Sequence, residues 1–195
     1  MMNLLNRLTV LIAMLGMAMS TYALGNYKMH YIVSPQPQTH YLLVTLQMTF
    51  DEPADEDVTL ELPVWAPGYY TIVDYPKYLV DFAATGQDGD KCAWRKQGKN
   101  QWKVPAKGQQ LTVSYRIYAN ERSVAECRVQ EDLAFIAPNG VFMYVKDQVD
   151  HDVTVSFTMP DGWQKASTGL KPVGENEGKV RTFYAPDFDT LFDSP

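Results

Sequence analysis

The sequence predicts an all-β domain, built as an antiparallel β-sandwich or as two strongly twisted sheets joined by short turns. Apolar and polar side chains alternate along several segments, which is the pattern of strands with one buried and one wet face. Turn-forming pairs rich in Gly, Pro and Asp separate these segments. Beyond the N-terminal segment, no stretch carries a sustained apolar stripe of helical period. The alternating segments are residues 42–50, 58–62, 111–117 and 153–159.

Shorter strands and turns fill the rest of the chain in order. The shorter strand candidates are residues 27–33, 79–85, 102–104, 141–145 and 179–184. Turn signals occur at residues 35–37, 51–53, 88–89, 138–140 and 161–162, where Pro, Gly, Asn and Asp cluster. Residues 74–82 allow a helical turn that Pro76 limits in length.

The first residues have the pattern of a secretory signal peptide. Arg7 precedes an apolar run from residue 8 to residue 19, and the small residues Thr21 and Ala23 follow it. We therefore expect residues 1–23 to be cleaved off, with cleavage after Gly25 as the close alternative, and residues 24–195 to form the mature β-domain. The run is too short to span a bilayer comfortably. The predicted location is the periplasm of a bacterium or the extracellular space.

The charge balance argues against nucleic acid and anionic membranes as partners. The 195 residues carry 17 Lys and Arg against 23 Asp and Glu, a formal net charge of −6. Both kinds of partner favour clustered basic residues, and the sequence has no such cluster.

The two cysteines, Cys92 and Cys127, leave alternatives open. In an oxidising compartment they could pair and close a long loop. They could equally remain two separate, buried thiols. Two isolated cysteines do not make a metal site, which needs more ligands.

No catalytic or metal-binding constellation is present in the sequence. The three histidines lie outside any H-E-x-x-H pair, which zinc peptidases of that class require. His151 stands between Asp150 and Asp152, but neighbouring strand residues point to opposite faces and do not converge. The sequence has no G-x-S-x-G nucleophile motif and no glycine-rich phosphate loop. We therefore predict no catalytic residue and no metal ligand in this chain.

One aromatic segment stands out, residues 62–78 (L-P-V-W-A-P-G-Y-Y-T-I-V-D-Y-P-K-Y). Its Pro67-Gly68 pair favours a tight turn. Its Trp and Tyr side chains offer rigid apolar surface with polar tips, which suits interfaces and ligand contacts. The segment is interpreted either as a packed loop that caps the sheet or as a contact surface, and the two can hold together. The candidate contact residues are Trp65, Pro67, Gly68, Tyr69, Tyr70, Asp74 and Tyr75.

The same segment resembles the W-x-P-G-S-Y signature in the N-terminal domain of glycyl-aminopeptidase-type zinc metallopeptidases (metallopeptidase family sixty-one). Residues 101–104 and 111–119 are similar to that domain's W-x-V and V-x-Y-x-V-Y-A strands. Residues 142–145, 160–163 and 187–195 also match, so the resemblance spans roughly residues 27–195. Two positions depart from the family pattern: Tyr69 replaces the small Ser, and Val73 replaces an Arg often found shortly after.

The resemblance implies a partner domain that this sequence does not contain. In that family an N-terminal β-domain precedes a thermolysin-like zinc domain with H-E-x-x-H, often followed by a PDZ domain. Zinc is therefore expected in the catalytic domain and no cofactor is expected in this chain. The family's zinc ligands and catalytic Glu have no counterpart here.

Three hypotheses for function follow. The first is a non-catalytic domain of an exported metallo-aminopeptidase, which packs on the zinc domain and helps shape its substrate cleft. Its partners would be that domain and, indirectly, a peptide substrate, with no nucleic acid and no membrane span after signal cleavage. The alternative is a stand-alone secreted β-sandwich module that binds carbohydrate or peptide. An unrecognised hydrolase is the weakest, because no activated nucleophile or acid–base pair can be named.

Overall fold

The computed structural model describes residues 24–195, and the predicted signal peptide lies outside the described residues. The described chain forms one sheet of nine strands and a second sheet of two short strands. The predicted all-β class is therefore confirmed. The strands are β1 Tyr27–Gln36, β2 Tyr41–Glu61, β3 Leu79–Gly86, β4 Arg95–Lys96, β5 Gln101–Tyr118, β6 Arg128–Val129, β7 Ala134–Phe135, β8 Tyr144–Val145, β9 Val153–Thr158, β10 Lys171–Pro172 and β11 Val180–Ala185.

The strand order in the large sheet is β10-β11-β9-β1-β2-β5-β3, with β4 added to β5 and β8 added to β2. The pair β6 and β7 forms the small sheet. The centre is the antiparallel trio β1, β2 and β5, in which Tyr27 lies opposite Phe50 and Tyr41 lies opposite Tyr118. Alternate residues of all three strands are buried, so the main core lies against one face of the sheet.

The predicted turn at residues 51–53 is wrong, because β2 runs without interruption through it. The register between β2 and β5 shifts between Thr49 and Ala54, and Gly108 lies opposite Ala54 with φ +79°. The bulge accommodates Pro53, because an unpaired position does not have to donate an N–H to the hydrogen-bond ladder between the strands. The predicted strands 42–50 and 58–62 are therefore parts of one long strand, β2. The predicted strands 102–104 and 111–117 are likewise parts of β5.

One pairing in the sheet is parallel, which departs from the predicted antiparallel arrangement. Strand β9 runs parallel to β1, with His30 opposite Thr154 and Val33 opposite Phe157. More than 100 residues separate the two strands in the sequence, and alternation of side chains carries no information on strand direction. The alternating pattern predicted β1 and β9, but it did not determine that the two strands are neighbours in the sheet.

A loop segment covers part of the core and is fixed by two tyrosines of the sheet. It begins with a 3-10 turn at Pro138–Gly140 and continues into β8. The Tyr31 hydroxyl donates to the carbonyl of Met143 at 2.5 Å, and the Tyr115 hydroxyl donates to that of Val141 at 2.6 Å. Both bonds are buried, so they fix the segment at two points.

The chain closes with one short helix, α1, Phe188–Phe192. Asp187 caps it by accepting a hydrogen bond from the Thr190 N–H at 2.6 Å. Phe188 and Leu191 are buried in the core. Among residues 24–195, no helix has the length and apolar character needed to cross a membrane.

Candidate contact surface

The aromatic segment 62–78 is a closed loop, because its two ends are hydrogen-bonded to each other. The carbonyl of Val64 accepts from the N–H groups of Val73 at 2.9 Å and Asp74 at 3.2 Å. At the tip, the Tyr69 N–H donates to the Ala66 carbonyl at 3.1 Å. Gly68 has φ +80°, which glycine adopts without strain. The Pro67-Gly68 turn predicted from the sequence is therefore confirmed.

The loop has one buried side and one exposed side. Val73 and Tyr75 are 9% and 1% exposed and belong to the core. Trp65 is 49% exposed, Tyr69 41% and Tyr70 94%. The loop therefore packs on the sheet through one part of its sequence and presents aromatic rings to solvent through another.

Asp74 connects the two sides. It has φ 61°, a left-handed conformation that Asp tolerates better than most residues, and it precedes the 3-10 turn Tyr75–Tyr78. This turn is the short helical element expected around Pro76. One carboxylate oxygen of Asp74 lies 2.7 Å from Lys99 Nζ, and the other is buried without a hydrogen-bond partner among the described residues.

Tyr75 is the most enclosed of the candidate residues. A Cβ atom added to Gly140 would lie 2.9 Å from the Tyr75 ring, so the glycine is needed for this close approach. The Tyr75 hydroxyl is buried and has no hydrogen-bond partner within residues 24–195. Burial, with smaller contributions from Cys127, Glu126 and Tyr69, raises the pKa of Tyr75 to about 12.

Beside the loop lies a groove with a volume of about 390 Å³. It is formed where five separate parts of the chain meet, and we refer to it as the loop groove. Asn139, which is only 4% exposed, is one of its lining residues. Among the described residues that line the groove, Asp193 has the sole charged side chain. The lining segments are residues 66–69, Tyr75, residues 124–125, Phe135 with residues 137–139, and residues 192–193 with Pro195.

A polar cluster holds the aromatic loop to the segment that follows β5. The Tyr78 hydroxyl donates to Glu126 at 2.6 Å, and Lys77 Nζ lies 3.6 Å from the same carboxylate. Burial and the bond to Glu126 raise the pKa of Tyr78. Within that segment Val124 is 83% exposed, so it adds apolar surface beside the loop groove.

Comparison with known proteins decides the family. A family model described as the peptidase M61 N-terminal domain matches residues 30–195. The chain belongs to this family. The resemblance inferred from the motifs is therefore confirmed over most of the chain.

One solved structure supports the same fold for this M61 N-terminal domain. The crystal structure of an aminopeptidase N family protein from Idiomarina loihiensis matches with a TM-score of 0.77 and 24% identity, over 85% of this chain and 28% of that one. Yeast LTA4 hydrolase in complex with bestatin gives a TM-score of 0.42 at 13% identity, over 85% of this chain and 27% of that one. Legionella pneumophila aminopeptidase A in complex with aspartic acid gives a TM-score of 0.45 at 10% identity, over 85% of this chain and 20% of that one. The M61 domain thus spans about a quarter of the length of these proteins. A comparison with curated proteins finds no match.

Both cysteines of the M61 domain are free thiols, the second of the two alternatives that the sequence left open. Cys127 is 5% exposed, and its thiol lies 3.5 Å from the carbonyl of Ala137, a residue that lines the loop groove. Burial raises its pKa to about 12. Cys92 is half-buried near Gly86, and burial also raises its pKa. Neither thiol has the lowered pKa of a reactive cysteine.

The described residues do not assemble a zinc site. No group of three or more His, Cys, Asp or Glu side chains converges within residues 24–195. The three histidines are engaged separately: His30 with the Ser156 hydroxyl at 2.8 Å, His40 with the Val129 carbonyl at 2.7 Å, and His151 stacked on Tyr27. The donor set of the M61 domain therefore does not fit a zinc ion.

A second, apolar pocket of about 340 Å³ was not predicted from the sequence. Phe142, Phe157, Trp163 and Phe183 contribute to its walls, and Lys165 also lines it. These residues come from distant strands and loops, and each fits an ordinary core or surface position in its own segment. No local signal in the sequence could have grouped them.

Proposed function

We propose that this chain is the non-catalytic N-terminal domain of an exported zinc aminopeptidase. In this proposal the aromatic loop and the loop groove pack against the catalytic domain and form one side of its substrate cleft. The observation that carries the proposal is the exposed apolar surface on a loop whose backbone is otherwise closed and fixed. Tyr70 at 94% and Ile72 at 71% exposure are the extreme cases on the loop, and Val124, at 83% exposure in the segment after β5, lies beside the loop groove.

The size of this surface supports a protein contact. Taking about 200 Å² for a whole aromatic side chain, Trp65, Tyr69 and Tyr70 expose on the order of 350 Å² at their measured fractions. Ile72 and Val124 add to it. Apolar patches of this size on soluble domains often mark interaction sites, and rigid aromatic residues dominate interface energetics.

Catalysis is assigned to the other domain. The zinc ion would be held there by an H-E-x-x-H helix and a downstream Glu, as the family resemblance implies, and it would activate a water for peptide hydrolysis. The described part of this chain contributes shape and contact surface. Export to the periplasm or beyond the cell remains part of the proposal, on the basis of the N-terminal sequence.

A second candidate function is supported by the same rings. A stand-alone exported module could stack Trp65, Tyr69 and Tyr70 on the apolar face of a sugar or on a peptide. It differs from the first proposal in a measurable way, because it requires the isolated chain to bind a small ligand through the exposed rings.

The test uses purified chain in three assays: zinc titration by calorimetry, hydrolysis of aminoacyl nitroanilides, and screening on glycan arrays. The proposal predicts no stoichiometric zinc binding, no hydrolysis and no glycan binding. Tight 1:1 zinc binding would refute it. Glycan binding that is lost in Trp65→Ala and Tyr70→Ala, but kept in Trp94→Ala, would favour the stand-alone module. Trp94 is a matched control, because it is 39% exposed and lies outside the aromatic loop.

A further inference from the structure

The outer face of the large sheet, which is turned away from the main core, carries an uncharged patch. Two neighbouring rows of side chains cross the strands β11, β9, β1, β2, β5 and β3 in that order. The first row is Tyr184, Thr154, His30, Gln47, Thr112 and Thr85. The second row is Thr182, Ser156, Ile32, Thr45, Ser114 and Ala83. We call these twelve residues the neutral face.

The neutral face has no Asp, Glu, Lys or Arg. Charged residues make up 21% of the chain, so about two or three would be expected among twelve surface positions. All of these residues except Ser156 are half-buried or exposed, so burial does not explain the composition. Burial lowers the pKa of His30, which keeps its ring neutral near pH 7. Depletion of charge is the compositional mark of the core of a protein interface.

The neutral face is also suited to losing its water. Threonine and isoleucine are β-branched and stiff, so few side-chain rotamers are lost when a partner covers them. His30 Nε2 lies 2.8 Å from the Ser156 hydroxyl, which in turn lies 2.9 Å from the Thr182 hydroxyl. Polar groups that are already paired keep their partners when water is removed, so their burial costs less.

The area of the outer face meets the requirement of a stable dimer. The next row contains Ser34, Leu43 and Arg116, and the charge of Arg116 is balanced by its salt bridge to Asp81. Six strands and three rows cover about 29 by 20 Å at the ordinary spacings of a sheet. Two such faces would bury about 1,200 Å² together, above the roughly 1,000 Å² that a biological interface needs.

The charge of the chain favours a second copy in this place. The formal net charge is −6, so two copies repel each other wherever charged faces meet. A two-fold interface brings the same patch of both copies together, and a patch without charge meets itself without repulsion. Twisted sheets can stack face to face in this way, with their strands about 30° apart.

We propose that the neutral face is the two-fold interface of a homodimer, in which the outer faces of the large sheets of two copies stack. The loop groove is lined by residues 137–139 of the segment that covers the core, on the other side of the sheet. One copy can therefore dimerise and pack on a catalytic domain at the same time. The inference does not depend on the proposed function.

The test is sedimentation equilibrium of the purified chain and its variants over about 1–500 µM, a range suited to an interface of this size. We expect a reversible monomer–dimer equilibrium in the parent and also in Tyr70→Ala, which alters the aromatic loop alone. Thr45→Lys, near the centre of the rows, should weaken dimerisation about a hundredfold or more. Symmetry places two added charges in the same interface, where like charges repel strongly.

Ser114→Lys and Ser167→Lys form a matched pair, because both serines are exposed and only Ser114 belongs to the neutral face. Ser114→Lys should weaken the dimer about tenfold or more, and Ser167→Lys should leave it unchanged. A mixture of Thr45→Lys with Thr45→Glu should associate at least about tenfold more tightly than either variant alone, because opposite charges then meet. This rescue separates a lost contact from a lost fold, since misfolded variants would not recover.

Several results would overturn the proposal. These are a parent chain that stays monomeric over the whole range, equal association of the Ser114 and Ser167 variants, or no gain on mixing the two Thr45 variants. A dimer that is lost in Tyr70→Ala but kept in Thr45→Lys would assign self-association to the aromatic loop and overturn it as well. None of these outcomes bears on zinc binding or on a following peptidase domain, so the proposed function is tested separately.

Discussion

Removing one oxygen atom from a tyrosine should have opposite effects on stability at different positions of this domain. Tyr31 and Tyr115 are 0% and 2% exposed, and each hydroxyl donates to a carbonyl of the covering segment at 2.5 and 2.6 Å. The Tyr75 hydroxyl is buried without a described partner. The Tyr118 side chain is 37% exposed. The same Tyr→Phe change therefore probes three environments.

The magnitudes follow from the hydrogen bonds. Tyr31→Phe leaves the Met143 carbonyl buried without its donor, and Tyr115→Phe does the same to the Val141 carbonyl. Each should lower the free energy of unfolding by about 1–3 kcal/mol. Tyr75→Phe should raise it by up to about 1–3 kcal/mol, and Tyr118→Phe should change it by less than about 0.5 kcal/mol.

The assay is urea unfolding of the purified chain, monitored by circular dichroism and by tryptophan fluorescence. Coincident transitions and an unchanged m-value would show that the midpoint reports stability. The reasoning would be refuted if Tyr31→Phe were neutral, or if Tyr75→Phe destabilised the chain as much as Tyr31→Phe. The double variant of Tyr31 and Tyr115 should deviate from additivity, since both hydroxyls hold the same segment.

Three further predictions concern other parts of the domain. Gly140→Ala places a Cβ 2.9 Å from the Tyr75 ring, and it should destabilise the chain by about 1–3 kcal/mol in urea unfolding; an unchanged midpoint would contradict the close packing. Asp187→Ala should lower stability by about 1 kcal/mol at pH 7. The Thr190 N–H lowers the pKa of Asp187, so this contribution is present above the ordinary carboxyl pKa and is lost as the pH falls through the lowered one; an equal difference between parent and variant at pH 7 and pH 2 would contradict it. Finally, the exposed loop should promote self-association, so light scattering should show a smaller average mass for Tyr70→Ala than for the parent chain at high concentration, and a parent that remains monomeric would count against a free contact surface.

Alkaline pH should destabilise the fold through its buried tyrosines. Burial raises the pKa of Tyr31 and Tyr115, and it raises that of Tyr75 to about 12. A raised folded-state pKa means that the stability is fully present below the unfolded value near 10 and is lost as the pH rises through the folded value. Unfolding free energies should therefore fall above about pH 10, and less steeply in Tyr75→Phe.

The alternation of side chains was sufficient to predict most of the strands. Residues 42–50 and 111–117 lie within β2 and β5, and β9 covers residues 153–158 of the predicted 153–159, because a half-buried strand imposes a period of two on its own residues. The Pro67-Gly68 turn and the short helical turn near Pro76 were also predictable, because the geometry of such turns depends on neighbouring residues.

Features that depend on distant contacts were not predictable. Residues 51–53 carry a turn signal, yet pairing with β5 on both sides keeps β2 continuous. The parallel pairing of β1 with β9 and the single-turn helix α1 have no local signature. The candidate residues of the aromatic loop were found from composition, but Asn139, Val124 and Asp193 were not, because only the fold brings them to the same groove.

The central claim is that this M61 N-terminal domain is followed by a zinc peptidase domain. Reading the source DNA through and beyond the Pro195 codon tests it most directly. The account predicts an open frame that continues and encodes H-E-x-x-H with a Glu ligand downstream. A stop codon directly after Pro195 would contradict it, and the aromatic loop would then be the binding site of a stand-alone module.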